Sequence, residues 1–99
     1  MADVSGIATS ALTALGVRQS VTANNIANIN TPDFKASYTV MKENNEGGVT
    51  ASVVRGEDNV EISKEAVDML ETVNGYKANL KTLQVQDQMG KDLIDMLSK

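Results

Sequence analysis

A long segment near the start of the chain is almost free of charge, and this feature constrains the fold more than any other. Between residues 4 and 29, Arg18 is the only ionised side chain. Apolar and small residues recur there at spacings of three and four, the period of an amphipathic helix. Proline disfavours helical geometry in the residue before it, so Pro32 ends the segment. We predict a first helix over residues 4–29, which is either buried in a small bundle or covered by other subunits.

A second helical pattern covers residues 63–98. Written as a heptad repeat, it places apolar residues at most first and fourth positions, with interruptions at Asp87 and Gly90. Its length and period predict coiled-coil-like packing on another helix. That partner is either the segment 4–29, which is favoured for an isolated monomer, or the same helix of another copy. The predicted helix seam consists of Met69, Val73, Tyr76, Leu80, Leu83, Met89, Leu93 and Leu97.

The segment between the helices has the pattern of a β-hairpin. Strand-forming residues occupy 38–41 and 49–54, and an Asn- and Gly-rich turn at 43–48 separates them. Two strands alone are marginally stable in water, so the hairpin must pack on the helices or on a neighbour. The predicted fold is mainly α, with antiparallel terminal helices and a short β-hairpin insert at one end. The segments 1–35, 36–62 and 63–99 are expected to form one domain.

The composition of the chain argues against an enzyme. Cysteine and histidine are both absent from its 99 residues. This excludes disulfides, thiol nucleophiles and histidine general bases. The remaining carboxylates, lysines and hydroxyl groups show no recognisable catalytic pattern. We therefore expect no catalytic residue, no cofactor, no metal ion and no small-molecule substrate.

Charge and hydropathy restrict the partners of the chain. Its formal net charge is −4 and only 3% of its residues are aromatic. The negative charge repels phosphate backbones, and the few aromatic residues leave little for bases to stack on. We therefore expect no nucleic acid partner. No apolar run approaches the ~18 residues of a membrane span, so we expect no membrane insertion. The N-terminus lacks a basic and a dense apolar segment, and a cleaved secretory signal is therefore not expected.

One motif points to a known family. Residues 23–35 read ANNIANINTPDFK, which closely resembles the N-terminal signature of flagellar rod and hook proteins, usually written ANNIANxNTPGFK. Residues 60–70 are similar to the start of the same family's C-terminal helix, and residues 76–81 and 86–89 are similar to its continuation. The chain is identified as a member of the flagellar basal-body rod protein family. Its short hairpin resembles that of the small proximal-rod type, the FlgB-like and FlgC-like axial proteins.

Two positions depart from the family pattern. Asp33 occupies a position where the family usually has glycine, and a requirement for positive φ there would leave aspartate tolerated but strained. Asn74 and Gly75 precede Tyr76 where the family commonly has Arg-Ala or similar. Glycine inside a helix costs about 1 kcal/mol relative to alanine.

The resemblance implies a structural subunit of the bacterial flagellar rod, located in the basal body. Such subunits are exported by the flagellar type III apparatus without a cleaved signal and assemble helically through their terminal helices. The implied partners are further copies of the chain, other rod and axial proteins, and the export apparatus. The alternative is a small helical-hairpin adaptor or secretion-apparatus-associated protein that binds one partner helix. The signature residues expected in the turn or in subunit contacts are Asn24, Asn25, Ile26, Ala27, Asn28, Asn30, Thr31, Pro32 and Phe34.

Overall fold

The computed structural model describes residues 4–98. The elements follow in the order α1 Val4–Ala27, β1 Ser37–Glu43, β2 Val49–Arg55 and α2 Ile62–Leu97. The two helices are antiparallel, because Ser5 near the start of α1 bonds to Gln86 late in α2, whereas Asn25 near the end of α1 bonds to Glu65 early in α2. The predicted mainly α fold with a β-hairpin insert is confirmed.

The hairpin lies along α1 rather than at one end of the helix pair, so the predicted placement was wrong. The β1 and β2 strands pair antiparallel from Ser37–Arg55 to Glu43–Val49. The base of the hairpin bonds to Asn25, and its tip bonds to Ser10 through the Val49 amide. Those two α1 positions are about 22 Å apart along the helix axis. A strand of seven residues spans about the same distance, so the hairpin is long enough to follow the helix.

The tip of the hairpin requires glycine. Gly47 and Gly48 have φ angles of 94° and 92°, a region that side-chain-bearing residues rarely occupy. A Cβ atom on Gly48 would stand 2.7 Å from the Ser10 hydroxyl oxygen. The Gly-Gly pair that indicated a turn in the sequence therefore also allows the hairpin tip to contact α1 closely.

The helices meet along a polar line. Glu65, Thr72, Asn79 and Gln86 are spaced seven residues apart on α2, and all four are buried or half-buried. The seven-residue spacing keeps them on the side of α2 that faces α1. On α1 the buried positions are Ala8, Ala14, Thr22 and Asn25. Small and hydrogen-bonding side chains thus form the buried part of this contact, and the apolar side chain of Leu15 on α1 packs beside Gly75 on α2.

The chain is elongated, measuring 66 × 26 × 14 Å. Its radius of gyration is 17.7 Å, whereas a compact domain of this length has about 13 Å. The α2 helix contributes to this shape, since residues 87–97 continue about 16 Å past the contact between Ser5 and Gln86. Within residues 4–98, neither helix is both long and apolar enough to cross a membrane.

Candidate functional site

The signature motif lies where α1, β1 and α2 meet, and Asn25 is the residue that joins them. Its Nδ2 donates to the Ser37 carbonyl at 2.8 Å and to Glu65 Oε1 at 3.0 Å. Its Oδ1 accepts from the Ser37 amide at 2.9 Å. Asn25 is 1% exposed and Glu65 is 4% exposed. We call this hydrogen-bonded group of Asn25, Ser37 and Glu65 the junction.

The chemistry of the junction explains why asparagine stands at position 25. Only an amide side chain offers two donor hydrogens and an acceptor together, and all three are used here. Aspartate would lose both donors and would place a second carboxylate beside Glu65. Because the junction is buried, each unmade hydrogen bond would cost about 1–3 kcal/mol. The second asparagine of the signature therefore holds the strand and the second helix against the first.

The end of α1 uses the next residues of the signature. Asn28 Nδ2 donates to the Asn24 carbonyl at 2.8 Å, and the Thr31 hydroxyl donates to Asn28 Oδ1 at 3.1 Å. The Thr31 amide also donates to the Asn28 carbonyl at 2.9 Å. The Asn28 carbonyl, which has no partner within α1, is satisfied by the Thr31 amide, and the two side-chain bonds hold the end of the helix and the turn together. Asn28 and Thr31 thus stop the helix and direct the chain into the following turn.

The turn itself accounts for the Thr-Pro-Asp-Phe sequence. The Phe34 amide donates to the Thr31 carbonyl at 3.3 Å, and Asp33 has a φ of 61°. In a type II turn the amide of the fourth residue donates to the carbonyl of the first, proline is common at the second position and the third residue has a positive φ angle. Thr31, Pro32, Asp33 and Phe34 fit these four positions in order. Glycine is the preferred third residue of that turn, so the family's usual glycine and the strain expected for Asp33 have the same cause.

Apart from the Thr31 bond to Asn28, no side-chain hydrogen bond is made by the remaining signature residues around this turn in the described part of the chain. Ile26 and Phe34 are half-buried. Those on the surface are Asn24, Ala27, Asn30, Thr31 and Pro32. A role of these surface residues in subunit contacts remains a prediction.

A second polar link joins the helices about two turns of α1 before the junction. Arg18, the sole charged residue of α1, places Nη2 2.8 Å from Glu71 Oε2 and 3.3 Å from Asp68 Oδ1. All three side chains are partly exposed, so we attribute a modest share of stability to this contact. Together, this contact and the junction determine which side of α2 faces α1.

The residues of the predicted helix seam fall into two groups. Along the helix pair, Met69 and Leu83 are half-buried, whereas Val73, Tyr76 and Leu80 are about two-fifths exposed. These last three line an open groove of about 510 Å³ with Leu15, Gly16 and Gln19 of α1. We call this surface the groove. Past the end of α1, the exposed seam residues are Met89, Leu93 and Leu97.

Sequence reasoning missed Glu65 and Ser37 as partners of the signature. By sequence alone, Glu65 is an acidic residue in the first turn of the second helix, where a negative charge suits the helix dipole. Glu65 begins a series of polar residues spaced seven apart, which continues through Thr72 and Asn79 to Gln86. This series is the sequence signal that could have placed Glu65 on the side of α2 facing α1. A search for apolar periodicity passes over such a polar series.

The carboxylates at the junction and beside it are engaged in contacts within the chain. The Glu65 carboxylate accepts from Asn25, and the Asp68 and Glu71 carboxylates pair with Arg18. Across residues 4–98, no three acidic side chains are grouped as ligands for a metal ion. The arrangement therefore supports a structural protein that presents surfaces to partners.

Comparison with known families agrees with this class. A model described as "Flagella basal body rod protein" matches residues 7–35, which include most of α1 and the whole signature turn. A second, described as "Flagellar basal body rod FlgEFG protein C-terminal", matches residues 57–96 and nearly all of α2. No curated protein sequence matches the chain. The two models together cover well over half of the sequence, in the expected order, and the chain belongs to the flagellar basal body rod protein family. This is a family of structural proteins, not of enzymes.

Proposed function

We propose that this protein is a rod subunit that is exported unfolded by the flagellar type III apparatus and then assembles helically through its terminal helices. The proposed location is the basal body, and the proposed partners are further copies, other rod proteins and the export apparatus. Membership of the rod family supports the structural role. The surface of the isolated chain supports the assembly.

The distribution of apolar side chains is the observation that carries this proposal. Among residues 4–98, the buried hydrophobic positions are only Ala8 and Ala14. By contrast, nineteen large hydrophobic residues of the described part of the chain are exposed, all but Ile29 on the two helices and two strands. Complete burial of a fully exposed side chain of this kind contributes about 1.5–3 kcal/mol, and covering the exposed part of each of these residues contributes a share of that. A chain that leaves this much apolar surface open is suited to burial among neighbouring subunits.

The contacts inside the chain favour export in an unfolded state. The helices are joined by hydrogen bonds at the junction and between Ser5 and Gln86, with small residues between them. Such contacts give little stabilisation compared with an apolar core, because they replace bonds to water. A domain of about 100 residues is marginally stable even with a full core. Unfolding for transport should therefore require little free energy.

The groove favours a second candidate, the helical-hairpin adaptor. An apolar groove between two helices is a common site for one partner helix. An adaptor would form a complex of fixed stoichiometry, whereas a rod subunit would form an open-ended assembly or join one. The size distribution of the complexes separates the two functions.

The decisive experiment follows the protein in the cell. We would measure the partition of the tagged chain between the cytoplasm and purified basal bodies, in strains with and without a working flagellar export gate. We expect the chain in basal bodies only when the gate works. A chain that stays in the cytoplasm of both strains would rule out the rod function and leave the adaptor.

A further inference from the structure

We propose that the groove of one subunit receives the end of α2 from a second copy. The inserting surface, which we call the C-terminal stripe, consists of Val85, Met89, Leu93, Met96 and Leu97. This proposal rests on the proposed function and specifies the surfaces that would join successive subunits.

The C-terminal stripe is an apolar face without a partner in the described part of the chain. Its residues are between 46% and 78% exposed. Their spacing of three and four places them on one side of the helix. The contact of α2 with α1 ends near Gln86, so most of the stripe lies beyond it. This end of α2 is therefore free to enter a neighbouring molecule.

The groove matches the stripe in length and character. Its α2 wall runs from Thr72 to Leu80, a distance of about 12 Å, and the step from Met89 to Leu97 covers the same distance. Gly16 lines the groove on the α1 side, and no heavy atom lies within 4 Å of the position its Cβ would take. The missing side chain allows an incoming helix to approach α1 closely.

The charges beside the two surfaces are complementary. Lys77 lines the groove and Lys81 follows one turn later, and residues 72–86 contain no acidic side chain. Beside the stripe, Asp92 and Asp95 supply negative charge, while Lys91 pairs with Asp87. Insertion of the stripe would bring these aspartates toward the two lysines. Such rim charges favour one orientation of the incoming helix.

A chain cannot fill its own groove, so the contact joins different copies. Tyr76 in the groove and Leu93 in the stripe lie on one continuous helix, about 25 Å apart. Each copy then offers one groove and one stripe. A contact between two different surfaces does not close on itself unless the copies form a ring, and it otherwise generates an open helical array. This is the assembly expected of a rod.

The absence of cysteine allows a direct test by disulfide cross-linking. We would oxidise the double variant Tyr76→Cys/Leu93→Cys, both as the purified chain and in isolated basal bodies, and analyse it on non-reducing gels. We expect a ladder of linked subunits in at least one preparation. The two single variants should give a linked dimer only when they are mixed. The matched control Thr50→Cys/Leu93→Cys places one thiol on the exposed hairpin and should give no ladder.

Two further changes make the test specific for the groove. Adding Gly16→Leu to the double variant should fill the groove and reduce the ladder at least tenfold, while the thermal melt stays at or above that of the parent. Lys77→Glu should reduce the yield, and adding Asp92→Lys should restore it.

The proposal is overturned if the double variant gives no ladder in either preparation, or if each single variant links to itself as readily as to the other. It is also overturned if the Gly16→Leu variant links normally. A double variant that enters basal bodies without a ladder removes this interface but leaves the rod function in place. Absence of the wild-type chain from basal bodies removes the rod function instead.

Discussion

Asn25 bonds to both backbone polar groups of Ser37, the first residue of the neighbouring strand: its amide nitrogen lies 2.8 Å from the Ser37 carbonyl oxygen, and its amide oxygen lies 2.9 Å from the Ser37 nitrogen. This pairing imitates the bonds that a further strand would make to Ser37. A side chain of α1 thus performs the role of a strand at the start of β1. This residue holds the base of the hairpin on α1, while the bond from the Val49 amide to Ser10 holds the tip.

Replacing Asn25 with alanine should destabilise the chain strongly. Asn25→Ala removes three hydrogen bonds and leaves Ser37 and Glu65 without these partners in a buried site. We expect the free energy of unfolding to fall by about 3 kcal/mol, measured by urea denaturation. Asn24→Ala is the matched control, because Asn24 is exposed on the preceding position. It should change stability by less than about 0.5 kcal/mol. Equal effects of the two variants would show that the junction contributes nothing to stability.

Replacing Asp33 with glycine should stabilise the turn. Aspartate at a φ of 61° is strained by its Cβ atom, and removing that atom recovers about 1–2 kcal/mol. The added freedom of glycine in the unfolded chain costs about 0.5–1 kcal/mol. We expect Asp33→Gly to raise the midpoint of thermal unfolding by a few degrees and Asp33→Ala not to raise it. A lower midpoint for the glycine variant would contradict the turn geometry.

Aspartate substitutions should separate two residues of the predicted helix seam. Leu83 is half-buried, whereas Leu80 is 39% exposed in the groove. Leu83→Asp should cost a few kcal/mol of stability in the isolated chain, because it places a charge in a partly buried apolar contact. Leu80→Asp should cost no more than about 1 kcal/mol but should abolish incorporation into basal bodies. Identical melts for the two variants, with normal incorporation of both, would show that the predicted seam is misplaced.

Removing α1 should abolish delivery as well as assembly. Deletion of residues 2–30 removes the helix on which both α2 and the hairpin pack. We expect the tagged deletion variant to remain in the cytoplasm and to be absent from basal bodies.

The control for that deletion alters the hairpin tip. Replacing Asn45 and Glu46 with serine spares the contacts of Gly48 and Val49 with Ser10. This variant should be exported and incorporated normally. The prediction is contradicted if the deletion variant is exported, or if the tip variant is not exported. Either result would show that α1 does not determine export and incorporation into basal bodies.

The sequence allowed the elements to be predicted because each has a strong local signal. The charge-free helical period of α1 ends at a proline turn, and Gly47-Gly48 marks the tip of the hairpin. The observed bounds of α1 and α2 differ from the predicted ones by one or two residues. The family signature located the turn at Pro32, and the φ of Asp33 accounts for the glycine usually found there.

The contacts between the elements could not be predicted in the same way. Hydrophobic periodicity identifies residues that avoid water, but it does not identify what covers them. The α1 helix packs on the polar series from Glu65 to Gln86, one position out of phase with the apolar series that includes Val73 and Leu80. Hydrogen bonds such as that between Asn25 and Glu65 depend on the three-dimensional placement of residues 40 positions apart. The partner of the apolar seam stays a prediction.

The elongated shape has a consequence for measurements of the mass of the free protein. A radius of gyration of 17.7 Å is that of a compact globular domain of about 240 residues. On a gel-filtration column calibrated with compact proteins, a single copy would therefore elute early, near the volume of a folded dimer. Light scattering or sedimentation equilibrium, which measure mass independently of shape, would identify that peak as one chain.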